Sequence, residues 1–193
     1  MDVDTEIIYT ESLKELISKW LGNHTVGAVG FGILDVNGRP MKWNFGDLMN
    51  PIVEAEQRLI ERLYIDKKIS FEDYVALAPS RAASKGELKL SQPREVGWVA
   101  EGCFATSANV LRFVGGFPEG VRYHEAHFIG KRYARIGKKI LFDPIYFVRH
   151  LEHDVRDQGR EEQEAIARSQ YYKEFWGMPE TATEKLFEHE SGA

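Results

Sequence analysis

Three groups of residues carry chemistry by type and spacing. Asp2 and Asp4 open the chain as D-V-D. Two carboxylates at that spacing on a strand end can converge on one divalent cation, because Mg2+ and Mn2+ prefer carboxylate oxygens and accept substrate phosphates as remaining ligands. Without a cation the two charges repel by about 1–4 kcal/mol at ~4 Å, depending on the dielectric. Two solvated acids at a terminus fit the same pattern. The second group is His124, Glu125 and His127, set where a helix is predicted to begin, with Arg132 two turns on. A carboxylate near a helix N-terminus stays ionised and can take a proton from a substrate hydroxyl, so Glu125 is the candidate general base. An acid in a first turn also serves simply by complementing the helix dipole. In the third, His150 and His153 follow an apolar strand in FVRHLEHD. Imidazole there can complete the coordination of a metal already held by carboxylates. A hydrolase built on the histidines alone is disfavoured, since no H-E-x-x-H or comparably spaced pair occurs.

These groups need elements to hold them. Leu13, Leu16, Ile17 and Trp20 recur at helical spacing over residues 11–21, and Gly22-Asn23 follows as a stop. The segment TVGAVGFGILDVNGRPM reads as a strand running into the Asn37-Gly38 turn. Residues 51–69 repeat apolar positions as a helix. Residues 78–93, rich in Ser, Ala, Lys and Gly, read as a mobile loop that is still a candidate for function. A strand over 98–104, a short helix over 109–114 and the Gly115-Gly116 break follow. A helix over 124–136 stops at Gly137 and leads to the strands KKILFD and IYFVRH on either side of Pro144. The last predicted helix covers 159–176 and ends at Gly177; no internal repeat is present.

A chain of 193 residues suits one α/β domain with a buried core. With 43% hydrophobic and 12% aromatic residues it has a globular composition. Thirty acidic residues against twenty-five basic ones give a net charge of −5, so no overall field draws the chain to nucleic acid or anionic lipid. The single cysteine, Cys103, excludes an internal disulfide and fits a reducing compartment, which makes the cytoplasm the expected location. No apolar run is long enough to span a bilayer, and the first ten residues lack the regions of a signal peptide.

Taken in order, the segments resemble the second half of family 2 glycosyltransferases of the GT-A fold. MDVDTEI followed by a helix and VGAVGFGILDVNGRP is similar to the family's D-x-D strand end, helix and ILD-x-NGR turn. GCFATSANVLRFVGGFPE resembles the acceptor-side stretch running into the GGF-D-E signature. HEAHFIGKRYARIGKKILFDPIYFVRH resembles the H-E-D helix, its arginine, the helix-ending glycine and the strand-Pro-strand-His segment, and YYKEFWG resembles the closing element.

The resemblance implies a truncated GT-A domain over residues 1–177, a Rossmann-like mixed sheet flanked by helices, with a tail at 178–193. It implies metal-dependent sugar transfer, with inversion, from a nucleotide-diphosphate sugar to an acceptor hydroxyl, saccharide or lipid-linked. Asp2 and Asp4 fall on the D-x-D that binds ribose and the Mn2+ or Mg2+ ion, and His150 on the histidine that joins that site. Trp98, Glu101 and Gly102 fall where the family shapes its acceptor pocket, Arg132 on the phosphate-side arginine, and Glu125 on the glutamate of the E-D pair. Ala126 stands where the family carries its usual aspartate base. The part of the nucleotide-binding domain that precedes D-x-D in the family is not in this sequence, so a partner chain or second copy is expected to cover an exposed sheet edge. A non-catalytic remnant, or half of a split enzyme acting as an interaction module, is the other reading. The transferase expectation requires the early acids, Glu125 and His150 to gather around one cleft.

Overall fold

The run Val26–Ile33 is buried at every position, as a strand covered on both faces should be. In the computed structural model of the chain, which describes residues 5–9, 11, 13–151 and 159–179, this run forms β2 (Val26–Leu34) at the centre of the molecule. Around it lie β1 (Thr5–Ile7), α1 (Leu13–Leu21), β3 (Phe45–Gly46), α2 (Pro51–Ile65), α3 (Phe71–Leu77), α4 (Pro79–Ser84), β4 (Arg94–Val96), β5 (Trp98–Val99), β6 (Phe104–Thr106), α5 (Ala108–Phe113), α6 (Glu125–Arg135), β7 (Lys139–His150) and α7 (Arg160–Trp176). The molecule is mixed α/β, a curled mixed sheet flanked by helices. β2 runs parallel to β7 and antiparallel to β6, while β1 and β4 both pair antiparallel with β7. β3 and β5 make a separate two-stranded ladder.

Alternation along β2 decides which side chains go where. Ala28 joins a core cluster with Ile129 and Tyr133 of α6, and Val29, Phe31 and Ile33 join a second cluster with Leu16 of α1. Two strands were expected on either side of Pro144; instead one strand runs through it. The register steps from Phe31↔Asp143 to Gly32↔Tyr146, so Pro144 and Ile145 are passed over. β4 ends its pairing at Phe142 and β1 begins at Val148, which leaves the proline, with no N–H to give, in the gap between them. β1 is one edge strand of the described sheet, with Ile7 exposed; β6 is the other end of the strand order.

The expected loop at 78–93 contains a helix. Pro79 occupies the first turn of α4, and Ser80, Ala82, Ala83 and Ser84 are buried. Small side chains let this helix bury its face without the large apolar repeat by which helices are recognised. α3 before it begins with a capping box, Ser70 and Asp73 each bonding the other's backbone. Among the described residues no helix is long and apolar enough to cross a membrane.

Candidate functional site

A cleft of about 540 Å3 opens between the β3–β5 ladder, the start of α6, and helices α2, α4 and α7. Its volume lies within the roughly 300–1,000 Å3 range of small-molecule sites. The β3–β5 pairing, Gly46↔Trp98, brings Trp98 to one wall, where its ring lies 4.9 Å from that of His127. Glu125 is the first residue of α6 and lines the same cleft. Its carboxylate has no hydrogen-bond or ion-pair partner among the described residues, and it stands in the first turn of the helix, where a negative charge is favoured.

Glu101 also lines the cleft, but it is committed. Its Oε1 accepts the backbone N–H of Ala126 and so caps a helix that has no side-chain cap of its own. Gly102 lies in the 3-10 turn Glu101–Cys103 and is not among the cleft-lining residues. Arg132 points elsewhere: its Nη1 donates to the Gly116 carbonyl at 2.8 Å and its Nη2 lies 3.5 Å from Glu174. His150 stands opposite Thr5 in the β1–β7 register and does not line the cleft. Asp2, Asp4 and His153 lie outside the described residues. Among the described residues no group of three His, Cys, Asp or Glu side chains is arranged to hold a metal ion.

His124 and His127 sit side by side at the inner wall, their ring centres 5.5 Å apart and the rings steeply inclined to each other. His127 is buried, and its Nδ1 accepts the Met49 N–H at 3.4 Å, which assigns the proton to Nε2. His124 has a left-handed backbone, φ 59, directly after Tyr123 at φ 71, and its Nε2 is buried with no hydrogen-bond partner. Burial pushes the His124 pKa down to about 4; Glu164 opposes the fall, and Arg168 and Arg160 deepen it. Burial likewise holds His127 well below the usual histidine range, with His124 adding to the effect.

Both groups have depressed pKa values in the fold, so their contribution is complete above the unfolded value near 6.5 and is lost as pH falls below it. The unfolded chain takes up protons there that the folded chain refuses. For His124 the span from 6.5 to about 4 corresponds to about 3 kcal/mol. Denaturant titrations at neutral pH and near pH 4 are expected to show the loss, and His124→Asn to shrink it. Equal pH dependence in the variant would refute the assignment to His124.

The remaining wall comes from segments in which the sequence named no site residue, although Arg81 lies in the 78–93 stretch already a candidate for function. Trp43, Asp47 and Gln57 line one side, and Arg81, Arg160 and Arg168 contribute guanidinium groups. Gln57 donates to Asp47 at 3.2 Å, Arg160 to Glu164 at 2.7 Å, and Tyr172 to Glu54 at 2.7 Å. The Asn50-Pro51 start of α2, with Asn50 accepting from the Ile52 N–H at 3.0 Å, is a helix-start signature that marks where this wall begins.

No family model matches this chain, and no curated protein matches it.

Proposed function

We propose that the chain is the catalytic and acceptor-side part of a metal-dependent glycosyltransferase of the GT-A type, transferring sugar from a nucleotide-diphosphate donor to an acceptor hydroxyl with inversion. The observation that carries this reading is the unpartnered Glu125 carboxylate in a cleft shared with Trp98 and Glu101. Glu101, directly before the acceptor-side stretch that begins at Gly102, also meets the H-E-D-like helix, through the Ala126 N–H. The parallel β2–β7 pair within a mixed sheet agrees with a Rossmann-like arrangement.

In this reading Glu125 takes the proton of the acceptor hydroxyl as that oxygen attacks the anomeric carbon, and the nucleoside diphosphate leaves from the opposite face. Positioning and electrostatics supply most of the rate. Asp2, Asp4 and His150 would hold the ion, although His150 does not line the cleft that holds Glu125 and that part of the expected gathering is not met; carboxylate with imidazole is a donor set that suits Mn2+, and Mg2+ when the oxygens dominate. Bound there, the metal supplies Lewis-acid stabilisation of the departing diphosphate. Arg132, already engaged by Gly116 and Glu174, is assigned to holding the Gly115–Gly116 turn.

Ala126 in place of the family's aspartate favours a second reading, a non-catalytic remnant that serves as an interaction module. Calorimetric titration of the full chain with Mn2+ and uridine- or guanosine-diphosphate sugars, paired with an assay for released nucleoside diphosphate, separates the two. Saturable metal-dependent binding with diphosphate release is expected for the enzyme. Silence in both measurements would leave the remnant.

A further inference from the structure

Trp43 is anomalous in three respects at once. The residue is 47% exposed at the cleft wall. Its backbone is left-handed, φ 61, a conformation that bulky residues avoid. It is nevertheless fixed there, its N–H donating to the Ser84 carbonyl at 2.6 Å. An exposed indole in a strained backbone does little for the core, and strain of this kind concentrates at sites that present a group to a ligand.

The surroundings narrow the ligand class. Arg81 and Lys85 sit 6.0 and 5.7 Å from the Trp43 ring centre, both held by the carboxylate of Glu61, so a cationic ligand would meet like charge at the ring. Carboxylates outnumber guanidiniums on the cleft wall by five (Asp47, Glu54, Glu101, Glu125, Glu164) to three (Arg81, Arg160, Arg168), which disfavours a polyanion. An acyl chain would strip water from these charges without replacing their hydrogen bonds. A neutral ring with an apolar C–H face and a rim of hydroxyls satisfies both features. The face packs on indole, and the hydroxyls exchange hydrogen bonds with Glu125 and with the Gln57–Asp47 pair.

We propose that the cleft binds an uncharged saccharide, with Trp43 as the aromatic platform under one of its rings. Taking the cleft as the acceptor side rests on the function proposed above, and the saccharide is then the acceptor. The full chain is to be screened on an array of neutral and acidic oligosaccharides. The best neutral binder, together with choline and inorganic pyrophosphate, is then titrated by intrinsic fluorescence against wild type, Trp43→Asn and Trp43→Phe.

Asparagine tolerates the left-handed backbone, so Trp43→Asn is expected to melt within a few degrees of wild type yet bind the neutral oligosaccharide about tenfold or more weakly. Trp43→Phe should recover much of the affinity. The proposal is overturned if no neutral glycan is retained, if only choline, pyrophosphate or acidic glycans bind, or if Trp43→Asn binds like wild type. Saccharide binding without sugar transfer would remove the transferase reading and leave the site intact. Transfer by Trp43→Asn at an unchanged acceptor KM would do the reverse.

Discussion

Gly130→Ala is expected to destabilise the protein by about 3 kcal/mol, the upper range for forcing an extra carbon into a packed core. On a solvent-exposed helix the same change stabilises by roughly 1 kcal/mol, because glycine is a poor helix former. The sign reverses here because α6 lies directly on the strand segment beside it. A Cβ at Gly130 would sit 2.1 Å from the Gly97 carbonyl oxygen and 2.8 Å from Leu48 Cδ2. The contact has no slack on its other side either, since a Cβ at Gly97 would come within 2.1 Å of the Leu48 amide nitrogen. Backbone has to move, and the helix that must move carries Glu125 and His127. For a chain of this size the loss corresponds to a fall in melting temperature of about 6–12 °C. Thermal melts of wild type and variant decide it, and an unchanged or higher melting temperature would remove the close approach from the account of the fold.

Such a contact has no signature in the sequence, and its invisibility illustrates where sequence reading stops. Helices α1 and α6 were legible because each repeats large apolar residues on one side, and α6 and α7 because Gly137 and Gly177 end them in the left-handed conformation, φ 70 and 62. α4 was missed because its buried face is built of Ser80, Ala82, Ala83 and Ser84, which carry almost no hydropathy contrast. Pro144 was expected to divide two strands. It lies instead at a register shift of one strand, tolerated because both neighbouring strands stop short of it. Within the cleft, Trp98, Glu101 and Glu125 were nameable from their motifs. The role of Glu101 as the outside cap of α6 was not, since its partner lies twenty-five residues away and only tertiary structure joins them. Trp43 escaped notice because a single tryptophan among polar residues has no period; what distinguishes it is its backbone angle.

Glu125→Gln is expected to lower the rate of sugar transfer by about 10²–10⁴, the usual contribution of a general base, with acceptor KM changed only a few-fold. Glutamine keeps the size and a hydrogen-bonding oxygen but cannot take the hydroxyl proton, so the loss should appear in kcat. The structural cost should be small, because the Glu125 carboxylate supports no other described residue and contributes only its interaction with the helix start, ~0.3–1 kcal/mol. Glu101→Gln provides the contrast. Its carboxylate holds the Ala126 N–H, so weakening it should act through the position of α6, lowering stability by about 1 kcal/mol and loosening acceptor binding. Ala126→Asp, which installs the aspartate of the resembled family, is not expected to restore a stronger base. Ala126 is 7% exposed, and its backbone N–H is held by Glu101, with Glu125 next in the chain. A new carboxylate would be buried among like charges and favour its protonated form. Steady-state kinetics of the three variants at saturating donor and Mn2+ tests the assignment. A Glu125→Gln enzyme with wild-type kcat would transfer the role of base to another group or leave the cleft without one.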